Sequence, residues 1–214
     1  MMGRSIWVVL LMAGMLAGMA QARAQTNTPA LIDQWAQIKP PPAPILQAVT
    51  LDPADTVLLV LDFVPKTCNM ERRPRCIASL QPVGRLLDAA RAHGVRVIFS
   101  NVVGGAPGDV LAPLQPRGGE PMVASGPDKF LHTDLAALLR QDKARTVIVT
   151  GTAAEGAVLS TASEAAFRGY RVIVLVDGMS SASLYAEQYV AWDLLHSPGS
   201  AGRVTLSAIG MIGF

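Results

Sequence analysis

Two short stretches place residues where acid–base chemistry could be done. Asp62 ends the apolar run TVLLVLDF (56–63). A carboxylate at the end of a buried strand can give a proton to a substrate or take one from it. The same placement also suits an Asp that braces the following turn. The second stretch is RTVIVTG (145–151), closed by Gly151 and followed by Thr152, Ala153, Ala154, Glu155, Gly156 and Ala157. A helix starting here points free N–H groups and the positive end of its dipole at whatever lies beyond the strand, which favours a carbonyl oxygen or an anion. The small side chains leave that backbone open to a ligand, or simply let the helix pack close to the sheet. Glu155, an acid in a first helical turn, suits a structural role there better than a catalytic one.

The elements needed to hold these residues are legible as alternation. After TVLLVLDF comes CIASLQPVGRLLDAARAHG (76–94), with Ile77, Leu80, Leu87 and Ala90 on one helical face and Gly94 where a helix stops. VRVIFSNVV (95–103) reads as strand, and the Gly- and Pro-rich residues 104–128 read as loop. HTDLAALLRQDK (132–143) is a short helix with Thr133 as cap, and 145–151 is strand. Then follow helix (155–169), strand (170–178), helix (183–197) and a last strand, RVTLSAIGMI (203–212). Regular β–α alternation with β-branched, apolar strands predicts an α/β domain: a mostly parallel sheet covered by helices on both faces. In such sheets ligands sit beyond the carboxyl ends of the strands, where Asp62 and Gly151 both fall.

The organisation along the chain is a signal peptide (1–24), a Pro-rich N-terminal arm (25–54) that includes KPPPAPILQ, and the α/β domain (55–214). Arg4, the apolar stretch SIWVVLLMAGMLAGM and the small-x-small ARA ending at Ala24 make the first segment a secretory signal. Its removal takes two of the 18 basic residues, Arg4 and Arg23, and none of the 16 acidic ones, leaving a formally neutral chain. Neutrality argues against a nucleic-acid partner, and no stable membrane anchor is expected once the signal is gone. The expected location is periplasmic or secreted. In that oxidising setting Cys68 and Cys76, the two cysteines of TCNMERRPRC (67–76), are expected to pair. The alternative is a reactive Cys68 thiol among Arg72, Arg73 and Arg75. His93, His132 and His196 are scattered, and no metal-ligand spacing, phosphate loop or dinucleotide fingerprint is present, so no metal and no cofactor is expected. His132, just before the 133–143 helix, is a candidate ligand contact.

Asp62, then Gly151 followed by Val158, Thr161, Ala162, Ala165, Gly169-Tyr170 and Asp177, resembles the isochorismatase-like superfamily, the cysteine hydrolases that include nicotinamidase-type amidases. DKFLHTDLAALL (128–139) resembles the segment that follows the family's catalytic Lys. The resemblance spans 55–212. It implies a three-layer Rossmann-like fold and an Asp–Lys–Cys triad. A cis peptide beside the nucleophile loop, near Ala153-Ala154, would help form an oxyanion hole. Oligomers are common in the superfamily, so a homo-oligomer is expected.

This chain departs from that pattern at several positions. The nucleophile position is Ala157, and the usual Lys position falls on Ala124, with Lys129 the nearest lysine. The Gln and second Asp that usually follow the first Asp are Val64 and Lys66. Ala157 cannot attack a carbonyl, and Ser160 could replace it only if its helix face turned inward. True isochorismatases are similar and also carry a small residue there, using the Asp as an acid on a vinyl ether. By that likeness Asp62 handles protons on a small polar substrate, Lys129 orients it or stabilises charge, and backbone N–H groups over 153–157, with Gly151, hold an oxygen. The alternative from another class is a noncatalytic small-molecule binding or interaction protein on the same fold.

Overall fold

Period-two alternation divides each strand's side chains between two apolar layers. In β2 (Thr56–Leu61), Val57, Leu59 and Leu61 face one layer while Leu58 and Val60 face the other, all of them buried. The computed structural model describes residues 28–214. The signal segment expected over 1–24, and the start of the arm, lie outside them. The chain divides at Pro40 into an N-terminal segment and a body, Pro41–Phe214. The former contains the short helix α1 (Leu31–Gln34) and a 3-10 turn, Trp35–Gln37.

The body is built on a six-stranded sheet that is parallel throughout. Its strands are β2, β3 (Arg96–Asn101), β4 (Met122–Ala124), β5 (Thr146–Thr152), β6 (Arg171–Ser180) and β7 (Val204–Ser207), in spatial order β4-β3-β2-β5-β6-β7. A separate parallel pair joins β1 (Val49–Thr50) to β8 (Ile212–Gly213). Helix α2 (Pro74–Ala92) covers one face, packing Val83, Leu86, Leu87 and Ala90 against Leu58, Val60, Phe99 and Ile148. On the other face α3 (Leu135–Gln141), α4 (Leu159–Phe167) and α5 (Leu184–His196) pack against Val57, Leu59, Val147, Val149 and Val174. The expected three-layer α/β architecture is therefore present.

Three elements differ from the sequence reading. β4 lies inside the stretch read as loop; three residues are too few to show a period, and their pairing with β3 makes the strand. The last strand stops at Ser207, a 3-10 turn (Ile209–Met211) intervenes, and Ile212–Gly213 pairs with β1 instead. The helix after β5 opens with a π-helical turn, Ala154–Val158, before α4.

The topology fixes where a ligand can enter. From the central pair β2 and β5, the chain after β2 moves to β3 on one side and the chain after β5 moves to β6 on the other. The connections thus diverge at the carboxyl ends of these two strands, opening a crevice there. Leu61 pairs with Gly151 at its edge.

Candidate functional site

Asp62 follows β2 directly and takes a left-handed backbone conformation, φ 56°, which Asp tolerates better than most residues. Its N–H donates to the Ser100 carbonyl on β3 at 3.2 Å. The carboxylate is held at both oxygens: Ser100 Oγ donates to Oδ1 at 2.6 Å and Lys129 Nζ lies 2.7 Å from Oδ2. Lys129 is fully buried, and its ammonium also donates to the Asn101 carbonyl (3.3 Å) and the Ser125 carbonyl (3.1 Å). All three of its donors are thereby engaged. Its own backbone N–H donates to Thr161 Oγ1 of α4 at 3.2 Å, tying the 125–130 loop to the helix that follows β5.

The β5 side of the crevice is shaped by close backbone approach. A Cβ on Gly151 would stand 2.5 Å from Leu61 Cβ and 2.6 Å from the Leu61 carbonyl, so only glycine lets β5 sit this near β2. The Thr152–Ala153 peptide is cis, one bond earlier than the resemblance implied. In the turn that follows, Gly156 N–H and Val158 N–H both donate to the Ala153 carbonyl, at 3.1 and 3.3 Å. Of the N–H groups over 153–157 expected to hold an oxygen, that of Gly156 is therefore engaged within the chain.

The third wall is the loop between β2 and α2. Cys68 and Cys76 form a disulfide, Cα atoms 5.4 Å apart, so the chain holds no free thiol. The reactive-Cys68 alternative is overturned. Within the loop Thr67 Oγ1 donates to the carbonyls of Asp62 and Val64, and Cys68 N–H donates to the Val64 carbonyl at 2.8 Å. Arg73 Nη1 donates to the Thr67 carbonyl at 2.7 Å. These bonds fold the loop back over the end of β2 and bring Lys66, Thr67 and Arg73 beside Asp62.

Together the three walls frame an open cavity of about 340 Å³, lined by Asp62, Lys66, Thr67, Arg73, Ser125, Thr152, Ala153, Gly156 and Ala157, with Val102, Val103 and Pro127 among its apolar surfaces. Of the residues singled out from sequence as site candidates, Asp62, Ala153, Gly156 and Ala157 line it. Lys129 stands behind Asp62 without lining the cavity, its ammonium set to stabilise charge on that carboxylate. Ala124, at the presumed Lys position, is exposed and belongs with His132 to another hollow beside Asp134; His132 is corrected with it. Gly151 and Ala154 are buried in strand and core contacts, Glu155 is exposed, and none of the three lines the cavity. Ser160 is likewise absent from the lining. Sequence reasoning missed Lys66, Thr67, Arg73, Ser125 and Thr152 as lining residues, and Ser100 as a partner of Asp62. The disulfide expected across 68–76 was a signal for Thr67 and Arg73 alone, since it closes the loop that carries them. A larger hollow of about 610 Å³ lies at the opposite, amino ends of the strands among Arg145, Arg168, Arg171 and Arg203. Among the described residues no group of three or more His, Cys, Asp or Glu is placed to hold a metal ion, and no helix is long and apolar enough to cross a membrane.

A parallel sheet with a largely apolar cavity at its topological switch point, Asp62 in its lining and Lys129 behind it, defines a Rossmann-like α/β domain. The family model described as the isochorismatase domain matches residues 56–207, and the chain belongs to that family. Solved structures agree in fold. An isochorismatase family protein from Desulfovibrio vulgaris shares 20% identity over 73% of this chain and 95% of its own, with a TM-score of 0.65. A cysteine hydrolase from Pseudomonas syringae shares 21% over 78% and 95%, TM-score 0.66. A nicotinamidase from Bacillus subtilis shares 15% over 72% and 99%, TM-score 0.63.

Proposed function

We propose that this chain is an exported isochorismatase-family hydrolase that acts on a small polar molecule through proton transfer at Asp62, with no thioester intermediate. The observation that carries this reading is a carboxylate facing an open cavity while a donor fixes each of its oxygens. Asp carries about four lone-pair sites, so two remain for a water or a substrate hydroxyl. Lys129 acts through Asp62, as a positioning residue that holds the carboxylate's orientation and offsets its charge. Ala157 and the paired cysteines support chemistry without a covalent thiol step. The disulfide suits the periplasmic or secreted location. Self-association into a homo-oligomer belongs to the same reading, and light scattering of the purified protein tests it.

A second reading, a noncatalytic binding protein, is favoured by one observation: Ala157 stands in the cavity wall where a thiol would be needed, and every Lys129 donor is already engaged within the chain. Screening amides, esters and vinyl ethers separates the two, with intact-mass spectrometry of the protein quenched during turnover. Hydrolysis with the protein mass unchanged is expected. A covalent acyl adduct would refute the proposed chemistry, and ligand binding without any hydrolysis would favour the second reading.

A further inference from the structure

The charge balance of the cavity is uneven. Asp62 is offset by Lys129 at 2.7 Å, and no other acid lines the space. Two cations do: Lys66 at the exposed rim, and Arg73, half-buried on the disulfide-closed loop. Neither makes an ion pair among the described residues. The Arg73 guanidinium has five N–H donors, and the bond the structure gives it is the one from Nη1 to the Thr67 carbonyl. Its Nε lies out of solvent contact and has no hydrogen-bond partner among the described residues. Arg73 lines the cavity with no acid among its partners, and an oxyanion arriving there supplies one.

We infer that the cavity takes a small organic carboxylate, recognised by Arg73 with Lys66 at its mouth. The inference rests on the reading that the Asp62 cavity is the substrate site, and it names the substrate class. Arg73 supplies a forked donor that a carboxylate can meet with two oxygens, while Lys66 supplies charge without fixed geometry. Val102, Val103, Pro127, Ala153 and Ala157 receive the hydrocarbon part of the ligand. At about 340 Å³ the space suits a ligand of one ring or a short chain.

The test is calorimetric titration of the disulfide-intact protein with benzoate and butyrate, each against its neutral amide, benzamide or butyramide. At low salt the carboxylates bind roughly 10-fold or more tighter than the amides, a charge-assisted difference. Arg73→Ala weakens carboxylate binding by roughly 10- to 100-fold, the scale of losing a charge-assisted pair. Arg73→Lys retains part of it. Lys66→Ala, an exposed change with no fold to disturb, weakens it by a few-fold. Equal affinity for acid and amide overturns the inference. So does failure of both carboxylates to bind at millimolar concentration, or carboxylate binding untouched by Arg73→Ala and Lys66→Ala alike. Asp62→Asn separates this claim from the proposed chemistry: carboxylate binding persists while turnover falls. Binding without any turnover would overturn the enzyme reading alone.

Discussion

Replacing Lys129 with Met keeps most of the side-chain volume and removes the ammonium. Asp62, 5% exposed, then keeps a carboxylate whose partner at 2.7 Å is gone, and the carbonyls of Asn101 and Ser125 lose a donor. Breaking a buried ion pair at one end costs about 3–5 kcal/mol, because the surviving charge is left uncompensated. Against a total stability of about 5–15 kcal/mol this is a large fraction. For a domain of this size it lowers the midpoint of thermal unfolding by roughly 6–20 °C. Removing both charges in Asp62→Asn/Lys129→Met leaves no stranded ion. The double variant should therefore recover at least about 1 kcal/mol relative to Lys129→Met alone. The assay is urea unfolding followed by circular dichroism under non-reducing conditions, with slopes compared across the cycle. A Lys129→Met variant within about 1 kcal/mol of the parent, or a double variant as unstable as the sum of the singles, would refute the role given to the pair.

The remaining predictions concern the elements that support the site. Replacing Cys68 and Cys76 with Ser opens the loop that closes over Asp62 and lowers stability by about 2–3 kcal/mol on the chain-entropy estimate, read as the shift in urea midpoint; no shift would contradict it. Gly151→Ala drives a Cβ to 2.5 Å from Leu61 Cβ and forces β5 away from β2, costing roughly 1–3 kcal/mol in thermal unfolding; a neutral outcome would show that the strands can part freely. Burial pushes the Glu120 carboxyl up, but Arg91 (Nε 2.8 Å, Nη2 2.7 Å) and the Arg117 backbone N–H (2.6 Å) outweigh it and hold it below the usual carboxylate range. With the folded value below the unfolded one, its contribution is present above about pH 4.3 and is lost as pH falls through the folded value. Glu120→Gln should accordingly flatten the acid-side fall in unfolding midpoint, and an unchanged slope would count against that sign.

The strands were readable because each is long, apolar and rich in β-branched residues, so pattern alone identified β2, β3, β5 and β6 and the layers around them. Met122–Ala124 escaped because three residues carry no period and become a strand only through β3. At the site, Asp62 was visible from the end of its strand, and Ala157 through the family resemblance. Lys129 was visible as the nearest lysine, but its depth was not. Spacing from Phe130 pointed to Ala124, whereas the loop over 125–130 turns the Lys129 ammonium inward onto two carbonyls and Asp62. Arg73 and Thr67 were hidden for a similar reason. Their place beside Asp62 depends on a disulfide and a set of backbone bonds that fold one loop back on itself.

Proton handling by Asp62 in place of thiol attack is tested most directly by kcat/KM of Asp62→Asn against the parent protein, on whichever substrate the screen yields, with folding checked by circular dichroism. The account predicts a loss of roughly 10²- to 10⁴-fold. Turnover retained within about twofold, a difference under about 0.4 kcal/mol in barrier, would place the chemistry on some other group and contradict it.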